Sequence, residues 1–142
     1  MTIDLTDNAP RVSYSVSTST TEFAVPFEFF DDADLTVVVA GTTKTLTTHY
    51  TVSGGDGATG TVTMTSGNAV SSGTVIIFRD IAFKRSSDFP TSGAFPIATL
   101  NTELDRNIAL FDDQQDRIDR SIRLLDTDDA ATMTVPVKAS RL

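Results

Sequence analysis

The stretch IATLNTELDRNIALFDDQQDRIDRSIRLL, residues 97–125, decides how the chain is read, because here the apolar side chains stop alternating and take up a helical period. Ile97, Leu104, Phe111, Ile118 and Leu125 recur every seven residues, and Asn101, Ile108, Gln115 and Ile122 form a second row between them. These rows are the d and a positions of a heptad kept for about four repeats, the pattern of a helix whose ridge packs on other helices. With a rise of about 1.5 Å per residue, the helix extends roughly 40 Å and overhangs a domain of this size. Thr99 is the expected N-cap; Glu103 and Asp105 lie near the positive end of the helix dipole, and Arg117, Arg120 and Arg123 near the negative end. Asn101 and Gln115 carry amides into the ridge, where an unsatisfied buried amide costs about 1–3 kcal/mol. The expectation is that each bonds its own copies on neighbouring helices and so fixes register. Isoleucine at a, mixed large residues at d, and e and g positions without Glu/Lys pairs point to three parallel copies rather than a charge-specified dimer. Leu110 and Leu124 widen the apolar face and speak for some packing of the helix on its own body.

Upstream, from Arg11 to about Asp80, apolar residues alternate with the period of half-buried strands. Turn signals DDAD, AGTT, SGGDGATG and SGNAVSSG divide the region into six or seven short strands, which read as an antiparallel β-sandwich or small barrel. The expected core is Val12, Tyr14, Val16, Phe23, Val25, Phe27, Phe29, Val37, Val39, Tyr50, Val52, Val62, Val75 and Ile77. Pro26 removes a ladder donor from the phenylalanine-rich strand, so that strand is expected at an edge or with a bulge. Residues 81–96 lose all periodicity and contain two Phe-Pro pairs, which reads as an extended connector whose aromatic rings pin it to a surface. The predicted organisation is a β-sandwich-like head over residues 1–80, a connector over 81–96, a coiled-coil helix over 97–126, and a linker or the start of a shaft over 127–142.

The bulk composition narrows the function. A chain of 142 residues holds one ordinary core plus an appendage. A net charge of −8 repels phosphate backbones and anionic membranes, so neither nucleic acid nor membrane is an expected partner. There is no cysteine for disulfides or thiolate ligands, and neither a signal-like start nor a spanning apolar run. A soluble protein that bypasses the usual secretion signal is therefore expected.

Catalysis has little to work with. The one histidine, His49, lies in a strand context; Asp31, Asp32 and Asp34 read as a solvated turn, and Asp112, Asp113 and Asp116 as a solvated helix face. Neither acidic cluster has calcium-loop spacing, and SGGDGATG lacks the lysine and following helix of a phosphate loop. No catalytic residue, metal or cofactor is expected. A polysaccharide-degrading enzyme needs a deep acidic cleft and far more chain. A carbohydrate-binding β-sandwich module contacting host surface polysaccharide is the alternative function, but it needs exposed aromatic platforms, and the chain has no tryptophan and only two tyrosines.

The blocks TSTTEFAVPFEFF, SDFPTSGAFP and LNTELDR, in this order and at these distances, together with HYTVSGG, GTVTMT and RSIRLL, resemble the N-terminal virion-attachment domain of tail fibres and tailspikes of short-tailed bacteriophages. The resemblance covers roughly residues 10–125, and MTVPVKASRL is similar to the segment that leads into the shaft in that family. It implies a homotrimeric structural component of the virion, made in the host bacterial cytoplasm. In that family the head docks onto the tail adaptor and nozzle proteins, and this domain has no catalysis. The distal parts of such fibres bind or cleave host polysaccharide, so other fibre or depolymerase chains are further expected partners. The sequence contains no such distal part, and the expectation is either a short anchor or the ordered portion of a longer fibre. The implied assembly is a head that grips the tail, a connector that wraps or crosses between subunits, and a parallel three-helix coil along the axis.

Overall fold

A computed structural model describes residues 9–85 and 87–121 of the protein. In chain order it contains β1 (Arg11–Val16), β2 (Glu22–Phe29), β3 (Leu35–Val39), β4 (Thr42–Thr43), β5 (Tyr50–Gly54), β6 (Ala58–Met64), β7 (Gly73–Arg79) and the helix α1 (Ile97–Asp119). A single 3₁₀ turn, Asp32–Asp34, separates β2 from β3. The strands form two antiparallel sheets, ordered β1-β7-β3-β4 and β2-β6-β5. One β-rich head followed by a C-terminal helix is therefore the architecture.

Alternation builds the core. β2 buries Phe23, Val25, Phe27 and Phe29 on one face and turns Glu22, Ala24 and Pro26 outward. From the facing sheet come Leu35, Val37, Val75 and Ile77, and β5 and β6 add Tyr50, Val62 and Met64. Val12, Tyr14, Val16, Val39 and Val52 pack against this cluster while half-buried. Leu35, Met64 and Val70 belong to the core although they were not among the residues expected there. The sheets are also joined by side-chain bonds: Tyr50 Oη donates to Leu35 O at 3.0 Å and Tyr14 Oη to Ala24 O at 2.7 Å. Each phenol thus finds a backbone acceptor where its ring is buried, avoiding the penalty of an unpaired hydroxyl.

β2 lies at the edge of its sheet, and its register against β6 shifts between Val25 and Phe29. Pro26 falls inside the shift, where the missing N–H disturbs no regular ladder. The next turn depends on glycine. Gly55 and Gly57 have φ of +85° and +81°, and a Cβ on Gly60 would fall 2.2 Å from Ser53 O and 2.7 Å from the Phe29 ring. The hairpin between β5 and β6 is therefore moulded around a core phenylalanine, and Gly57 N donates to Phe29 O at 2.9 Å. SGGDGATG is a hairpin turn in this fold. Gly41 and Gly67, also at positive φ, have no atom within 4 Å of such a Cβ.

α1 begins after the connector with Pro96 at its N-cap, not Thr99. Proline has no N–H to satisfy, and its fixed φ suits the entry to a helix. At the other end Arg120 caps the helix, and the Ser121 hydroxyl donates to Ile118 O at 2.7 Å, closing the last turn. Within the described residues the helix runs to Asp119, and the part of the expected span from 122 to 126 lies outside them. Ile122, Leu124 and Leu125 lie outside the described residues.

Candidate functional site

The helix meets the head through charge. In β7 the alternation that buries Val75 and Ile77 also carries Arg79 inward, leaving only 1% of its side chain exposed. Its guanidinium is fully engaged at the base of α1. Nε donates to Asp113 Oδ1 at 2.8 Å and Nη2 to Asp112 Oδ2 at 2.8 Å and Ala109 O at 3.2 Å; Nη1 donates to Glu28 O at 2.6 Å. Asp113 Oδ2 accepts the Ile81 backbone N–H at 3.1 Å, so both its oxygens are bonded. Ala109 is fully buried, and its small side chain lets the helix backbone come within reach of Arg79. Ile81, Phe30 and Leu110 complete a small apolar cluster around it.

Further pairs flank this centre. Arg106 lies 3.3 Å from Asp31 and 3.6 Å from Asp34, with Phe30 beneath its guanidinium. Arg117 pairs with Asp80, and Asp116 approaches Arg11 at 4.0 Å while accepting from Arg120 at 2.7 Å. The second acidic cluster and Asp34 are thus corrected from solvated surface to docking groups, Asp34 and Asp113 being buried and Asp112 and Asp116 half-buried, while Asp31 and Asp32 stay exposed as expected of a turn. The physical reason is that cationic partners far along the chain fold onto them. Burial pushes the carboxyl groups of Asp112 and Asp113 above their ordinary range, and the Arg79 charge and its hydrogen bonds only partly oppose that effect.

Docking by this face turns the apolar ridge outward. With about 100° of rotation per residue, positions two apart point to nearly opposite sides. Burying Arg106 therefore exposes Leu104 and Ile108, and burying Asp113 exposes Phe111 and Gln115. Ile97, Leu104, Ile108, Phe111 and Ile118 are 66%, 52%, 42%, 66% and 45% exposed, although each is large and apolar. Asn101 is exposed in the same row, and Gln115 Nε2 donates to Asp119 Oδ1 at 2.9 Å in the same helix. Of the two further leucines expected to broaden the face, Leu110 packs toward the head.

The connector extends this surface. Phe83 and Phe95 are 85% and 56% exposed, so the expectation that the aromatics pin the segment down is corrected for these two rings. Phe89 is half-buried, stacks on Phe95 with centroids 5.7 Å apart and lies under the Arg85 guanidinium. All the large apolar side chains that stand exposed among the described residues belong to the connector and the outward face of α1. Sequence reasoning singled out this ridge, but missed Arg79 beneath it and read its partner Asp113 as solvated surface. The available signal was the inward phase of Arg79 in TVIIFR.

The histidine has a structural role. His49, expected in a strand, lies instead in the turn before β5, where its Nδ1 accepts the Thr45 backbone N–H at 3.0 Å and stitches that turn. Among the described residues no three His, Cys, Asp or Glu side chains gather as a metal site, and no helix is long and apolar enough to cross a membrane. Neither tyrosine offers an open ring: Tyr50 is buried and Tyr14 packs on Phe23 at 5.5 Å between centroids. The feature that the geometry does present is the exposed apolar ridge of α1 with the aromatic rings of the connector beside it. No protein-family model and no curated protein sequence matches the chain.

Proposed function

We propose that the protein is a trimeric structural anchor of a phage tail, in which α1 and two symmetry-related copies form a parallel coiled coil and the β head attaches a tail fibre or tailspike to the adaptor and nozzle proteins. One observation carries the association: the helix is held to its own head by ion pairs, while its apolar heptad row faces away. A helix that needed its ridge for intramolecular packing turns that ridge inward. Burying the remaining exposed surface of five such residues contributes on the order of 1 kcal/mol for each, enough to drive assembly when repeated in every copy. The assignment to a tail rests on the resemblance of the TSTTEFAVPFEFF, SDFPTSGAFP and LNTELDR blocks, and places the protein in the virion after synthesis in the host cytoplasm.

The test of association is the mass in solution by light scattering. Three copies of a 15.2 kDa chain give about 46 kDa, and a value of 15.2 kDa at high concentration removes the basis of the proposal. Attachment is tested by adding the protein to purified tail particles that lack their fibres and measuring co-sedimentation. Binding is expected through the head, so it persists at protein concentrations that saturate the coil. A glycan array is expected to show no binding, because both tyrosine rings are committed to the head and the exposed rings of Phe83 and Phe95 adjoin the ridge assigned to assembly.

A further inference from the structure

The outward ridge has two unlike flanks at the same height on α1. On one flank the helix and the connector enclose a groove of about 420 Å³, lined by Phe83, Lys84, Arg85, Phe89, Leu100 and Leu104. Glu103 also lines this groove but is itself buried. On the other flank a polar groove of about 270 Å³ is lined by Phe30, Asp56, Gly57, Asn101 and Asp105. The difference continues along the helix. The g positions Leu100, Asn107 and Gln114 carry no charge, whereas after Ala98 the e positions Asp105, Asp112 and Asp119 are acidic. Asp112 and Asp119 bond within the chain, to Arg79 and Gln115. Asp56, Asp105 and Lys84 take part in no ion pair among the described residues, and Arg85 is bonded only loosely, 3.5 Å from Asp88 on the surface.

Symmetry decides which flanks meet. Rotation about an axis parallel to the helices brings the g flank of one copy against the e flank of the next, a head-to-tail contact that closes into a ring. A two-fold axis perpendicular to the helices instead sets each flank against itself, acid against acid on one side. The lack of basic residues at the g positions of the helix is made good by the connector, which puts Lys84 and Arg85 on that flank. We propose that the connector of each copy clasps the helix of the next, with Lys84 and Arg85 against the neighbour's Asp105 and Asp56, and that this pairing sets the parallel order of the ring. The clasp rests on the trimer reading above and adds the contact that orients it. Phe83 and Leu104, exposed on the same side, become buried in that arrangement.

Because the chain has no cysteine, introduced thiols report contacts directly. Lys84→Cys and Asp105→Cys copies, co-expressed with tags of different size and treated with a short bis-maleimide, are expected to give the mixed product and little of either like-with-like product. Gln115→Cys alone, at the ridge, reports the coil itself. Like-with-like products from the two flank variants would overturn the clasp, as would a protein of trimer mass whose Gln115→Cys copies link while the mixed pair does not. Monomer mass with no linking at Gln115→Cys would remove the trimer reading and the clasp together. Independently, Lys84→Glu with Arg85→Glu is expected to weaken association by at least about tenfold, and adding Asp105→Lys to restore most of it. Failure of that restoration in a protein with an unchanged melting profile of the head would count against the pairing.

Discussion

Arg79 is the residue on which the joint between head and helix turns. Its side chain and that of Asp113 are each only 1% exposed, so removing one strands the other as an uncompensated buried charge. Arg79→Met is expected to lower stability by about 3–5 kcal/mol, measured as a shift in the urea midpoint at unchanged slope. Arg79→Met with Asp112→Asn and Asp113→Leu should recover part of that loss, since neither carboxylate is then left without its cation. The pH dependence has a definite sign. Asp112 and Asp113 have folded-state pKa values raised above the ordinary 3.8, so the folded state holds protons that the unfolded chain gives up. Their contribution to stability is therefore greatest at low pH and declines as pH rises from about 3.8 through the raised values. Comparing unfolding free energies of the wild type and the Asp112→Asn, Asp113→Asn variant across acidic pH should show that decline in the wild type alone. A rise over the same window would contradict the burial on which the shift depends. Little of this was legible in the sequence: a pair of aspartates on a helix looks like solvated surface, and its cation lies 33 and 34 residues away in the chain.

At the scale of the element, α1 has two faces with opposite assignments, and the sequence marked one of them well. Seven-residue spacing needs no tertiary information, and every ridge residue of the described helix does fall on the outward side. The docked face was obscure because its polar residues satisfy one another only when β7 and the turn after β2 are brought beneath them. The N-cap was missed for a local reason, proline serving where a hydroxyl was expected. The strands were more readable, since alternation of period two and turn residues survive any arrangement of sheets. Replacing Ile108 and Phe111 by serine leaves the ion pairs to Arg79 untouched, so the head should melt within about 0.5 kcal/mol of its original stability. Association should nevertheless be lost, read as monomer mass by light scattering at concentrations where the parent chain is assembled.

The whole molecule combines an apolar sandwich with a strongly acidic exterior, at a net charge of −8. Chains of like charge resist non-specific association, so contact is favoured only where apolar surface outweighs the repulsion, which here means the ridge and the connector. Raising ionic strength is accordingly expected to ease the repulsion that opposes the ridge while loosening exposed ion pairs, those of the clasp as well as Arg117 with Asp80, so the Lys84→Glu, Arg85→Glu variant should gain more assembly from added salt than the parent chain, read by light scattering. The hairpin moulded around Phe29 has a practical corollary for anyone wishing to label the protein. A peptide tag spliced between Gly55 and Gly57 would lift a core ring from its seat and should abolish expression of folded protein. The same tag at the tips bearing Gly41 or Gly67, where an added carbon meets nothing, should be carried without loss of melting temperature. Those two tips are the natural ports for displaying cargo on the head.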